Sequence, residues 1–370
     1  MIKSDIAKVE RALVLLVKGG LNGGIKEESS NKSVARSKII AQEDLNFEHM
    51  EWGKLITLAK KQGVVAIALD GFPKIYTEII PKDIKIRWER ATELVEERYK
   101  KQIDVLKELV TIFRENSINT IVINNLCISN AYPVSNHREC ADLNIAQPQN
   151  WEKGNKVIDN LGVNVRILNS RHSFFSFRGV TVHNHKINPG KPAKILVDNL
   201  EAFIPELNFT ASFLINQITD NFLNSSFVLR HLVDLSLFFE SYSKEINFEQ
   251  LTRELKREGK LKLILHLLIL SHKLLGFETG LKQIFLEAKE IRYIRKKSNY
   301  SEFESDPLYE KIYKDIFSNE FEKSNINDLI TMSSAQRKTI KVRELSQNRW
   351  KFRLIKRTLF CKTFIKTILH

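Results

Sequence analysis

At Ile118 the hydrophobic period of this chain changes. Upstream, from about Asp83 to Asn116, apolar residues recur at three- and four-residue spacing, the pattern of one long helix. The next stretch, "INTIVINN" (118–125), is short and β-branched, the signature of a buried strand. "ADLNIAQ" (141–147) reads as a second strand, and "WEKGNKVIDNLGV" (151–163) as a helix that ends at Gly162. "SFFSFRGVTVHNHKI" (173–187) alternates around Arg178-Gly179 and predicts a hairpin. Residues 117–190 therefore form the α/β part of the chain. Helical periodicity surrounds that block and resumes from about Ile195. The clearest later helices are "SSFVLRHLVDLSLFFESY" and "FEQLTRELKREGKLKLILHLLILSHKLLGF". The expected fold is α+β and mostly helical. A small mixed sheet at 117–190 stands between an N-terminal helical region (1–116) and a C-terminal one (191–345), and a basic amphipathic tail (346–370) follows.

The first segment, residues 1–18, reads as an amphipathic helix stopped by Gly19-Gly20, the usual role of glycine at a helix C-terminus. Residues 21–45 are polar and read as a loop, and 47–70 as a helix, a break at Gly63 and a second helix. With 370 residues the chain has room for two or more packed regions. Its net charge of +14 is uneven. From Arg337 onward there are eleven lysines and arginines against one acid, Glu344, while 301–329 holds eight acids and three lysines. The excess describes a tail, so a uniformly basic nucleic-acid groove is poorly supported. Cys127, Cys140 and Cys361 give neither a disulfide framework nor a zinc spacing, which points to a reducing, cytoplasmic compartment. The first twenty residues lack a basic start and a cleavage site, so no signal peptide is expected. The longest apolar run, "LKLILHLLIL", is too short to span a bilayer.

The stretch with chemical content is "RECADLNI" (138–145). On a strand, residues i and i+2 share a face, so Asp142 and Asn144 project together. An Asp-x-Asp pair so placed can hold two Mg²⁺ ions that bridge a nucleotide's phosphates and activate an attacking hydroxyl. Asp-x-Asn keeps one carboxylate of the two. Read alone, it is as readily a partly exposed strand end.

Its surroundings carry a resemblance. In order come "INTIVINN", Tyr132-Pro133, Arg138, Asp142, the helix ending at Gly162, and His183 in "GVTVHNH"; farther on are Arg230 and Asp234 in "VLRHLVDLSLFF", then "NRWKFRLIKRTLF". This series resembles an uncharacterised bacterial nucleotidyltransferase family of the DNA polymerase β superfamily, patchily from about residue 47 to 370. The resemblance implies an NTP donor, in-line attack by an acceptor hydroxyl, and Mg²⁺ as cofactor wherever the site is functional. It makes Asp142 and Asn144 the metal and catalytic positions, with Asn124, Asn125 and Arg138 on the nucleotide side. The departures are chemical. The family's Lys-Gly falls on Asn124-Asn125, its Gly on Ala141, its second Asp on Asn144 and its third acid on Thr181. A cation, a close backbone approach to phosphate and two negative charges are lost together. The expectation is a nucleotidyltransferase fold with a weakened or repurposed site, a pseudoenzyme. Alternatives are a surviving Mg²⁺-dependent enzyme acting on an unknown hydroxyl, and a scaffold that binds a protein or a membrane surface.

Three other features have a bland reading beside the functional one. His183 and His185 share a strand face and could pair on a metal, but no third ligand is evident nearby, so hydrogen-bonded strand-end histidines are favoured. Arg230 and Asp234, four apart on a helix, suit a local ion pair or a cleft-lining helix. The tail "RWKFRLIKRTLFCKTFIKTILH" suits a packed terminal helix with outward cations, or peripheral contact with the inner face of a membrane.

Overall fold

A computed structural model describes residues 2–22, 49–72, 79–123, 125–140, 142–197, 200–224, 226–288, 312–313 and 316–317. The expected 21–45 loop (apart from residues 21 and 22), the acidic stretch (apart from 312–313 and 316–317), the 346–370 tail, Asn124 and Ala141 lie outside these residues.

The chain divides into two compact units. The first comprises Met1–Leu214, Val233–Ile246 and Leu274–Gly276, and the second Ile215–Leu232, Asn247–Lys273 and the described residues within Phe277–His370. Helices α1 (Ile2–Asn22), α2 (Trp52–Lys61), α3 (Val65–Asp70) and α4 (Lys82–Glu115) come first. The break between α2 and α3 falls at Gly63, whose φ of 65° suits glycine. Helix α1 does not stop at Gly19-Gly20, which corrects the capping expectation. Those glycines let α1 approach α3 closely: a Cβ on Gly20 would stand 2.1 Å from the Ile67 carbonyl oxygen, and one on Gly19 would stand 3.0 Å from that of Gly71.

The first unit's sheet has seven described strands in the order β3-β4-β5-β2-β1-β7-β6. They are β1 (Ile121–Val122), β2 (Asp142–Ala146), β3 (Arg166–Asn169), β4 (His172–Phe177), β5 (Val180–His185), β6 (Ala193–Val197) and β7 (Leu200–Ile204). Helix α5 (Asn125–Asn130) and a 3₁₀ turn (Ser135–His137) link β1 to β2, and α6 (Trp151–Asn160) links β2 to β3. The β4–β5 hairpin turns at Arg178-Gly179, with φ of 51° and 75°, as the alternation predicts. Strands β6 and β7 correct the expectation that helix resumes from Ile195. They are antiparallel to each other, and β7 joins the sheet by a parallel pairing with β1.

Alternation along the strands sorts their side chains onto two faces. On one, Leu143, Ile145, Phe175, Phe177 and Val182 pack with Leu106, Leu109 and Phe113 of α4 and Ile158 of α6. On the other, Ile121 and Ala146 pack with Phe209 and Phe213 of α7 (Leu207–Leu223). Helix α8 (Leu229–Tyr242) follows. In the second unit, α9 (Phe248–Arg257) and α10 (Leu261–Leu275) divide the long helical stretch at Gly259, where φ is 71°. Helix α11 is Thr279–Glu287. Among the described residues no helix is long and apolar enough to cross a membrane.

Candidate functional site

Strands β2 and β5 run parallel, with Asp142 opposite Thr181, Asn144 opposite His183 and Ala146 opposite His185. Leu143 and Ile145 point into the core, so Asp142 and Asn144 take the other face, half-buried. Thr181, His183 and His185 occupy that same face by the same alternation on β5. The three positions that the resemblance assigns to acids, Asp142, Asn144 and Thr181, thus come together on two adjacent strands. One of them is an acid. The segment entering β2 is anchored by Gln102 of α4, whose Nε2 donates to the Cys140 carbonyl at 2.9 Å.

Histidine fills this face instead. His183 Nε2 lies 3.7 Å from Asp142 Oδ2. Its Nδ1 lies 2.9 Å from His172 Nε2 on β4, a hydrogen bond in which one ring donates. The His172 and His185 rings stack with centroids 4.5 Å apart. Burial pushes the His185 imidazole down to about 3, helped by His172 and His183. Burial, then His183, also lowers His172. A neutral His185 donates from Nε2 to Asn144 Oδ1, 3.1 Å away, and so occupies a lone pair of that oxygen. Phe174 packs against His183 at 5.9 Å, and the Arg166 guanidinium stands 5.8 Å from the Phe174 centroid. Phe213 of α7 meets His185 edge-on. A cavity of about 490 Å³ adjoins this row, lined by Gly162, Val163, Asn164, Arg166 and Phe174–Ser176.

His172 is the residue that the sequence reading missed, and its signal was available. A two-residue turn at Arg178-Gly179 pairs Phe177 with Val180, and counting back in register places His172 opposite His185. The third imidazole was thus legible from hairpin arithmetic.

Arg138 is 5% exposed and Asp234 is 1% exposed. Arg138 Nε and Nη2 donate to Asp234 Oδ1 and Oδ2 at 2.8 and 3.1 Å, and the Tyr132 hydroxyl donates to Oδ1 at 2.6 Å. A phosphate contact by Arg138 has to share or break this buried pair. Arg230 meets His231, its Nη2 lying 3.3 Å from Nε2. Asn125 begins α5, and Asn124 lies outside the described residues.

This donor set does not fit a pair of Mg²⁺ ions. Mg²⁺ favours oxygen ligands in near-octahedral array, with carboxylates supplying charge. Here one carboxylate, one amide oxygen engaged by His185 and a hydroxyl stand among three imidazoles. Among the described residues no group of three or more His, Cys, Asp or Glu side chains is placed to hold a metal ion.

The fold is similar to a solution structure of the antibiotic-resistance factor ANT(2'')-Ia, at 11% identity and a TM-score of 0.36, over 45% of this chain and 97% of that one. A crystal structure of ANT(2'')-Ia in complex with adenylyl-2''-tobramycin is similar at 9% identity and a TM-score of 0.32, over 38% of this chain and 89% of that one. No curated protein matches the chain. The family model described as "Uncharacterised nucleotidyltransferase" matches residues 48–276, more than half of the sequence. The chain belongs to that uncharacterised nucleotidyltransferase family.

Proposed function

We propose that this protein binds a nucleoside triphosphate on the Asp142 side of β2 and β5 without transferring its nucleotidyl group. The observation behind this reading is the shared face of Asp142, Asn144 and Thr181, which carries one carboxylate. Transfer by the two-ion route needs one ion on the attacking oxygen and one on the leaving group, each anchored by shared carboxylates. Asn144 keeps an oxygen but brings no charge, and His185 already occupies it. Thr181 supplies only a hydroxyl. A nucleotide can still bring its own phosphate oxygens to one ion beside Asp142. Binding therefore survives where activation of an acceptor hydroxyl does not. The reading keeps the protein in the cytoplasm, with an NTP as its small-molecule partner.

The test is twofold. ATP, GTP, CTP and UTP are titrated into the purified chain by calorimetry, with and without divalent ion, and the same mixtures are assayed for pyrophosphate release with hydroxyl acceptors. The expected result is binding to at least one nucleotide, reduced in Asp142→Ala, with no pyrophosphate above background. Sustained metal-dependent pyrophosphate release that Asp142→Ala abolishes overturns the non-transferring reading and restores the enzyme.

A further inference from the structure

Resting on the nucleotide-binding reading above, we propose that Asp142 Oδ2 and His183 Nε2 together hold one divalent ion of the zinc class, shared with the nucleotide's phosphates, in place of Mg²⁺. The first observation is a gap. The two atoms stand 3.7 Å apart, beyond hydrogen-bond reach. An ion about 2.0–2.2 Å from each spans such a gap at an angle wider than the tetrahedral one. The second is the arrangement behind His183. A metal-ligating histidine characteristically donates its other ring N–H to a neighbour, which fixes the tautomer and leaves the ligating lone pair free. His183 Nδ1 faces His172 Nε2 at 2.9 Å, so donation from His183 turns its Nε2 lone pair toward Asp142.

The rings that set this up are held in place. His172 stacks on His185 at 4.5 Å, and Phe174 lies against His183 at 5.9 Å. Thr181, in register with Asp142, offers a neutral oxygen at the same edge. The donor type selects the ion. Imidazole suits zinc and its neighbours in the first transition row, whereas Mg²⁺ favours carboxylates and water. Two protein ligands leave the remaining positions to water and phosphate, so ion and nucleotide bind cooperatively.

The experiment titrates ATP into the full chain by calorimetry in EDTA, in Mg²⁺ and in Zn²⁺, with histidine ¹⁵N spectra recorded in parallel on the free protein, with Zn²⁺ alone and with Zn²⁺ and ATP. The expected result is ATP binding at least tenfold tighter with Zn²⁺ than with Mg²⁺. Asp142→Asn and His183→Gln should each erase the Zn²⁺ advantage. His172→Gln, which removes the orienting partner, should weaken Zn²⁺ binding about 10- to 100-fold. The spectra should show His183 protonated at Nδ1, with its Nε2 resonance displaced by Zn²⁺. Equal affinity in Mg²⁺ and Zn²⁺, or an unaltered Zn²⁺ advantage in His183→Gln, overturns the proposal while leaving nucleotide binding intact. If ATP binds under no condition, the nucleotide reading fails. The Zn²⁺-only spectrum then decides the ion site: a displaced His183 Nε2 supports it, and an unmoved one overturns it.

Discussion

Replacing Asp234 by asparagine should destabilise the first unit more than any other single-atom change at the Arg138 cluster. The Arg138 side chain is 6% exposed and that of Asp234 2%. Burial disfavours the guanidinium's charge, but Asp234 outweighs this and holds its pKa above the ordinary arginine range. A guanidinium is not deprotonated in proteins, so Arg138 stays charged when its partner is neutralised. With its oxygen in the place of Oδ1 the substituted amide keeps the shape and the acceptor shared by Tyr132 and Nε, but it puts a nitrogen where Oδ2 accepted Nη2. An uncompensated buried charge of this kind costs about 3–5 kcal/mol. Against a total stability of about 5–15 kcal/mol, that is roughly a fifth of the whole or more. Trp52, Trp88 and Trp151 all lie in this unit, so tryptophan fluorescence during urea unfolding reads the loss as a lowered midpoint. The double variant Arg138→Met with Asp234→Leu should recover most of the loss, because it removes both charges and both desolvation costs. A midpoint for Asp234→Asn within about 1 kcal/mol of the parent would refute the argument, and so would a double variant as unstable as the single one.

Gly20→Ala should also destabilise, by about 1–3 kcal/mol in urea unfolding, because its Cβ would stand 2.1 Å from the Ile67 carbonyl oxygen. An ordinary helix-interior glycine would instead gain roughly 1 kcal/mol on the same change, so the sign decides. His137 lies 2.7 Å from Asp70 and 2.8 Å from Glu96 through opposite ring nitrogens, an arrangement that a neutral imidazole with one N–H cannot satisfy. Burial lowers its pKa, but the two carboxylates outweigh this and raise it. Its contribution is thus full below the unfolded value near 6.5 and lost as pH rises through the folded one, and His137→Gln should flatten that limb of a urea-midpoint profile. His185 has the opposite sign. Its folded pKa of about 3 makes stability complete above about 6.5 and progressively lost as pH falls toward 3, a slope that His185→Gln should reduce. If the basic tail serves a membrane surface, the full chain should bind anionic liposomes in a salt-sensitive way, and deletion of 346–370 should abolish it.

The sequence by itself determined the local elements, because hydrophobic period and turn chemistry are local properties. The long helix α4, the Gly63 break, the Arg178-Gly179 hairpin and the strand carrying Asp142 all follow from spacing and from a few residues of special backbone freedom. Asn144 and Thr181, where the resemblance expects acids, were equally plain as letters. Tertiary structure decided the rest, since contacts between distant segments leave no period. Gly19-Gly20 looks like a helix stop until α3 is laid across it, and close packing then explains both glycines. Residues 193–197 and 200–204 become strands because β7 finds an open edge on β1, where parallel pairing satisfies its backbone. Arg138 and Asp234, 96 residues apart, find each other only in the folded unit. The sheet face that carries Asp142 is the clearest case. The sequence named Asp142, Asn144 and Thr181 one at a time, while strand pairing set them side by side and surrounded them with three imidazoles. Which residues are present is written in the chain, but the chemistry they share depends on distances that folding creates.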